Sequence, residues 1–209
     1  MSLRLAALAL LLSGGAACTE GDVVAEAGSA GPSLDLPAED ARDFGPLPDF
    51  HLVSERGTSV ALADLGRRPL VFAALYSTCT GPCPSIASTL AELQQELSDT
   101  DVLLVTVTVD PEIDTPAVLA GYAHAKGADP ERWTFLTGTR DEVYAFVRSG
   151  LFLPVDQRVG APPGERVTHD TRLLVVDRQG LRRGWYEGKD AGQVQKLKKR
   201  VRHLAAEGR

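Results

Sequence analysis

The stretch PLVFAALYSTCTGPCPSIASTL, residues 69–90, contains the pattern that decides the fold. Its first part, 69–76, is a continuous apolar run, which is typical of a β-strand buried on both faces. Cys79 and Cys83 follow this run, and from Ile86 onward apolar residues recur with helical spacing. The sequence therefore predicts a buried strand, a short loop with two thiols and a helix that begins near the second thiol.

Strand patterns and helix patterns alternate along the rest of the chain. This order predicts an α/β domain with a central mixed sheet flanked by helices and an extra N-terminal β-hairpin. Segment 150–170 has no clear periodicity and is predicted to be a long loop. The other predicted elements are a hairpin at 49–62, strands at 102–109 and 133–136, a hairpin at 172–188, and helices at 115–126, 139–149 and 191–206.

The first residues, 1–18, have the pattern of a secretory signal. A basic residue precedes the apolar run 5–12, and small residues follow at 13–18. The run is too short to cross a bilayer, which takes about 20 apolar residues. GGAAC is similar to a bacterial lipoprotein cleavage box, which would make Cys18 an acylated first residue; ordinary cleavage after Ala17 is the alternative. Either way we expect the mature domain to work outside the cytoplasm, where disulfides persist.

Segment 19–43 is rich in glycine, alanine, proline and acidic residues and has no aromatic residue. Such a composition buries too little apolar surface to order itself, so we predict a flexible tether with a span of roughly 25–30 Å. It would hold the globular domain, 44–209, on the periplasmic side of a membrane through an N-terminal anchor.

The charge of the chain argues against a nucleic-acid partner. The net charge is −6 and the isoelectric point is about 5.2, whereas phosphate binding needs a concentrated basic surface. The basic cluster KLKKRVR, 196–202, lies in a helical pattern and is predicted to be a solvated helix face.

The two thiols leave three interpretations open: a structural disulfide, a redox pair or part of a metal site. A disulfide across so short a loop constrains the unfolded chain little and contributes little stability. Backbone amides at a helix start stabilise a thiolate, so a lowered thiol pKa is expected for this pair. If Cys79 and Cys83 bind a metal, they favour Cu(I) or zinc, and a third ligand must come from the four histidines.

The histidines differ in their positions. Three of them, His51, His124 and His203, fall in patterns that predict surface positions. His169 ends the unpatterned segment directly before a buried strand, and ligand sites in layered α/β domains gather at such strand ends. The pattern alone leaves open whether His169 is a partner of the thiols or an anchor of its loop.

Asp110 and Asp114 follow the strand predicted at 102–109. One interpretation is an acidic pair that supports the metal ligands or docks a partner. The other is turn formation and helix capping, which the sequence Asp-Pro followed by Thr-Pro makes natural.

Three stretches, in order, resemble the Sco (SenC/PrrC) family. Residues 76–90, YSTCTGPCPSIASTL, resemble its CxxxCP segment. Residues 107–116, VTVDPEIDTP, resemble its SVDPxxDTP stretch, and 167–180, VTHDTRLLVVDRQG, its xxHSxxxxLVDxxG stretch. The departures are Thr80-Gly81-Pro82 between the cysteines and an aspartate, Asp170, where the family commonly has serine.

The resemblance implies a thioredoxin-like fold in which Cys79, Cys83 and His169 bind copper, with Cu(I) favoured. It also implies delivery of copper to the dinuclear copper site of cytochrome c oxidase, thiol-disulfide reduction of that site, or both. The implied partners are the copper-bearing oxidase subunit or another copper chaperone. The alternative is an enzyme, a thiol-disulfide oxidoreductase or thiol peroxidase that needs no metal. Reductases of this fold usually have a proline before the strand where this chain has Val167-Thr168-His169, so the histidine favours metal.

Overall fold

The computed structural model describes residues 43–207. The predicted signal, Cys18 and the predicted tether before Asp43 lie outside these residues. The strands are β1 (His51–Ser54), β2 (Ser59–Ala61), β3 (Leu70–Leu75), β4 (Leu103–Thr108), β5 (Trp133–Thr137), β6 (Val155–Gln157), β7 (Val167–His169), β8 (Arg172–Val176) and β9 (Arg182–Glu187). The α-helices are α1 (Cys83–Glu96), α2 (Pro116–Ala125), α3 (Arg140–Ala145) and α4 (Ala191–Ala206).

Seven strands form one mixed sheet in the order β2-β1-β5-β4-β3-β8-β9. β3, β4 and β5 are parallel, and the remaining pairs are antiparallel. Every residue of β3 and β4 is buried, including Thr106 and Thr108 of β4. The continuous apolar run of β3 predicts its burial. The structure thus confirms the central mixed sheet and the N-terminal hairpin, β1–β2, at its edge.

Helix α1 follows β3 across the cysteine loop and packs on the sheet through one apolar stripe. Its buried residues include Ile86, Leu90 and Leu93, and Leu97 caps its C-terminus and is also buried. Each of these side chains contributes roughly 2 kcal/mol by leaving water. The packing fixes the direction of the helix and therefore the position of its first residue, Cys83.

The helix predicted at 139–149 departs from the α-helical pattern near its end. The α-helix stops at Ala145, and Phe146–Gly150 forms a π-helical turn in which the Leu151 amide donates to the Phe146 carbonyl. The ring of Phe146 lies against Gly150, where an added Cβ would come within 2.5 Å of it. The wider turn seats this buried ring over a residue with no side chain.

Segment 150–170 is not the structureless loop that its lack of periodicity predicts. β6 and β7 pair as an antiparallel hairpin that forms a second, two-stranded sheet, with Val155 opposite His169. Each strand has three residues, which is too short for an alternating pattern to be visible. The hairpin matters for the site because His169 is the last residue of β7.

The basic cluster 196–202 is not simply a solvated helix face. Lys198 and Arg200 are buried in α4, and Lys198 forms an ion pair with Glu96 of α1. The guanidinium of Arg202 donates to the Glu96 carbonyl oxygen at 2.7 Å. Part of the cluster therefore docks α4 on the end of α1. Between residues 43 and 207, the structure has no helix of sufficient length and apolar character to span a bilayer.

Candidate metal centre

The two cysteines lie where the sheet meets α1. Cys79 is in the loop after β3, and its amide donates to the Tyr76 carbonyl oxygen at 3.3 Å. Cys83 is the first residue of α1. Both are free thiols, with 8% of Cys79 and 1% of Cys83 exposed, so an incoming molecule meets Cys79 first.

His169 lies against both sulfurs. Its Nε2 is 3.1 Å from Cys83 Sγ and 3.9 Å from Cys79 Sγ, and the three ligand atoms lie within 4.8 Å of one another. Its Nδ1 lies 3.0 Å from the Asp170 carbonyl oxygen, an acceptor that fixes the proton on Nδ1. Nε2 then presents its lone pair to the space between the sulfurs. Burial lowers the pKa of His169, which favours this neutral form.

The expected lowering of the thiol pKa is wrong for Cys83. Burial raises the pKa of this thiol, and its hydrogen bond with Cys79 raises it further. Backbone hydrogen bonds near the helix start act in the opposite direction but are outweighed. Cys83 therefore holds its proton at neutral pH, and a metal ion must displace that proton to bind.

The remaining three histidines have no place in this centre. His51, His124 and His203 are exposed, as predicted. Among residues 43–207, the structure has one group of three or more histidine, cysteine or acidic side chains close enough to share a metal ion. This group consists of Cys79, Cys83 and His169.

An open cleft of about 340 Å³ lies beside the centre. Its lining combines the cysteine loop with the hairpin that carries His169, and it includes Tyr76, Cys79, Thr80, Gly164 and His169. The cleft gives one face of the centre access to solvent, while Cys83 lies behind it.

Asp114 ties the cysteine loop to the end of β4. Its carboxylate is fully buried and accepts hydrogen bonds from the Ser77 amide at 3.0 Å, the Ser77 hydroxyl and the Thr108 hydroxyl. The cap of α2 is instead Thr115, whose hydroxyl accepts from the Val118 amide. A side chain this deeply buried offers no docking surface, so the docking interpretation of Asp114 fails on its burial.

Replacing Asp114 with alanine should destabilise the domain by about 3 kcal/mol, because one buried amide and two hydroxyls lose their acceptor. Urea unfolding would measure the change. The exposed Asp141 in the first turn of α3 provides the matched control, and Asp141→Ala should change stability by no more than about 0.5 kcal/mol. Equal losses in the two variants would contradict a structural tie at Asp114.

Asp110 lies beneath the hairpin of His169. It is buried, and its Oδ2 has no hydrogen-bond partner. The guanidinium of Arg166, three residues before His169, lies 3.8 Å from this oxygen and donates to Glu112 at 3.2 Å. Burial raises the pKa of Asp110, and the charge of Arg166 opposes the rise. The sequence patterns gave no sign of Arg166, because its partners lie more than fifty residues earlier in the chain.

The SCO1/SenC family profile matches residues 39–206 of this chain. A curated relative, the SCO1 protein homolog of Bacillus subtilis (strain 168), is 27% identical over 135 residues, which are 63% of this chain and 68% of the relative.

Solved structures share the fold. A SCO1/SenC family lipoprotein from Bacillus anthracis superposes with a TM-score of 0.72 at 22% identity, over 79% of this chain and 98% of that one. BsSco is described as a member of the Sco family of cytochrome c oxidase assembly proteins. It superposes with a TM-score of 0.67 at 22% identity, over 79% of this chain and 96% of that one. Yeast Sco1 with copper bound superposes with a TM-score of 0.62 at 24% identity, over 76% of this chain and 89% of that one. The thioredoxin-like fold is confirmed, and the chain belongs to the SCO1/SenC family.

Proposed function

We propose that this protein is a copper chaperone that binds one copper ion through Cys79, Cys83 and His169 and delivers it to the dinuclear copper site of cytochrome c oxidase. The observation that carries the proposal is the convergence of the three ligand atoms within 4.8 Å. The copper in yeast Sco1 and the description of BsSco as an oxidase assembly protein support the choice of metal and recipient.

The donor set suits Cu(I). Thiolates and imidazole are ligands that Cu(I) accepts at low coordination number, whereas structural zinc sites normally have four protein ligands. Among the described residues, no further cysteine or histidine lies close enough to these three to act as a fourth ligand. We therefore propose Cu(I) as the cargo of the reduced protein, with Cu(II) as the other oxidation state that an imidazole-containing site accepts.

Thiol oxidation offers a route for release. When the Cys79 and Cys83 thiols form a disulfide they lose two protons and two electrons to an acceptor, and two of the three ligands disappear. The recipient's own oxidised cysteines are acceptors of the required kind. Metal loading and thiol redox state are then coupled, which suits a carrier.

We propose a periplasmic, membrane-anchored location, with lipid on Cys18 and the segment 19–43 as tether. The lipoprotein-like sequence around Cys18 supports it, as does the description of the Bacillus anthracis relative as a lipoprotein. Mass spectrometry of the mature N-terminus tests it: an acylated Cys18 is expected, and an unmodified residue 18 as N-terminus would contradict it.

The chaperone proposal is tested by mixing the Cu(I)-loaded protein with the metal-free soluble domain of an oxidase copper-bearing subunit, once in its reduced form and once in its oxidised, disulfide form. After separation of the two proteins, copper should be found on the oxidase domain. Retention of all copper by the donor in both mixtures would contradict delivery.

The second candidate is thiol-disulfide reduction of the same oxidase domain. Its supporting observation is a free cysteine pair whose outer thiol, Cys79, lines the open cleft. In this case the reduced protein without copper should open the disulfide of the oxidised oxidase domain, which thiol labelling and mass spectrometry would detect. An intact disulfide after incubation would exclude this activity on that substrate.

Copper affinity should depend on pH with a definite sign. Because burial raises the pKa of Cys83 above its ordinary value of 9.0, copper binding at neutral pH must release at least that proton. Burial lowers the pKa of His169 below 6.5, so this ring releases no further proton above that pH. The apparent Cu(I) affinity should therefore rise by about tenfold or more per pH unit from 6.5 to 8. Competition with a calibrated Cu(I) chelator measures it, and a pH-independent affinity would contradict a protonated ligand.

A further inference from the structure

One carbonyl oxygen joins the two segments that carry the ligands. The Gly164 carbonyl, in the connection between β6 and β7, accepts hydrogen bonds from three donors of the cysteine loop. These are the Tyr76 hydroxyl at 2.8 Å, the Thr80 amide at 3.1 Å and the Thr80 hydroxyl at 3.3 Å. We call this group of three residues the Gly164 clasp.

Close approach at the clasp requires glycine at position 164. An added Cβ would lie 2.5 Å from the Thr80 methyl, 2.6 Å from its hydroxyl oxygen and 3.1 Å from its Cβ. The Thr80 side chain is β-branched and has little freedom to move aside. Any larger residue at 164 would push the hairpin away from the cysteine loop.

The clasp acts on the segment that carries His169. Gly164 is five residues before His169, and the Tyr76 ring packs edge-on against the imidazole with ring centroids 5.6 Å apart. Two residues further along the chain, Arg166 holds the same stretch of the connection to Asp110 and Glu112. Because both contacts lie within five residues before His169, they hold the imidazole over the sulfurs before any metal arrives.

We propose that Tyr76, Thr80 and Gly164 are positioning residues for His169: they hold it within reach of the two sulfurs and thereby raise copper affinity. The inference rests on the proposed copper site. A ligand that must first be brought into place lowers the apparent affinity in proportion to the time it spends elsewhere. The clasp removes this cost by holding the hairpin closed.

The test is a double-mutant cycle in the reduced full chain, with Cu(I) affinity measured by anaerobic chelator competition. Tyr76→Phe keeps the ring but removes one hydrogen bond, so it should weaken binding by about threefold to tenfold. In a His169→Ala background the same change should weaken binding by a clearly smaller factor, because the positioned ligand is gone and only the contact of the hydroxyl with Cys79 is lost. The hydroxyl also acts on Cys79 itself, but that contribution is the same in both backgrounds and cancels. Tyr144→Phe, a half-buried ring of α3 outside the clasp, is the matched control and should leave affinity unchanged.

A second variant tests the clasp by adding a side chain at the point where Gly164 contacts Thr80. Gly164→Ala should also weaken binding, and adding Thr80→Ala should restore much of the loss because it removes the methyl and hydroxyl that the new Cβ meets. In the metal-free protein, amide hydrogen exchange at 165–169 should be faster in Tyr76→Phe than in wild type.

The outcomes separate the two proposals. Equal weakening by Tyr76→Phe in both backgrounds, or unchanged exchange at 165–169, would overturn the clasp. If His169→Ala weakens binding while Tyr76→Phe does not, the clasp fails and the copper site stands. If His169→Ala itself leaves affinity unchanged, the proposed copper site fails, and the clasp fails with it.

Discussion

Replacing Cys83 with serine should weaken Cu(I) binding by on the order of a thousandfold. A serine hydroxyl is a hard, neutral donor, whereas Cu(I) prefers soft thiolate, so the variant loses a ligand outright. The loss should be visible in a chelator competition as a fall from one bound copper per chain to almost none. Circular dichroism would show that the α/β domain remains folded.

Cys18→Ser provides a control with the same chemical change. Cys18 is outside the proposed centre, so this variant should bind copper as tightly as wild type. If Cys83→Ser retained wild-type affinity, or if Cys18→Ser lost copper, the assignment of the two domain thiols as ligands would be wrong.

Replacing His169 with alanine should weaken Cu(I) binding by on the order of a hundredfold while one copper still binds to the two thiols. The imidazole is the third donor, and its Nε2 lies 3.1 Å from Cys83 Sγ. The reduction of a model disulfide by the cysteine pair should be largely retained, because it requires the two sulfurs and no metal. Both quantities can be measured on one preparation.

His124→Ala is the matched control, since this histidine is exposed on α2. It should change neither copper affinity nor disulfide reduction. A His169→Ala variant with unchanged affinity and high reductase activity would favour the enzyme over the chaperone.

The centre of the fold was predictable because local sequence determines it. The apolar run of β3, the two cysteines and the stripe of α1 are contiguous, so the strand, the loop and the helix can all be read within one short segment of sequence. His169 could be selected among the histidines because it directly precedes a buried strand. Its distance from the sulfurs could not be predicted, because a contact between residues 90 positions apart leaves no local periodicity.

The features that the sequence concealed are long-range contacts. The β6–β7 hairpin is too short to show alternation, and the Gly164 clasp consists of one carbonyl that meets a loop more than eighty residues away. The thiol pKa was mispredicted for a related reason. The helix start at Cys83 is visible in the sequence, but the burial that outweighs it is a property of the folded domain and has no local sequence pattern.

X-ray absorption spectroscopy of the reduced, Cu(I)-loaded protein tests the convergence of the three ligands most directly. Copper in the wild-type protein should have two sulfur neighbours and one nitrogen neighbour, and copper in His169→Ala should have two sulfurs alone. An identical set of neighbours in the two proteins, or copper without sulfur in the wild type, would contradict the site.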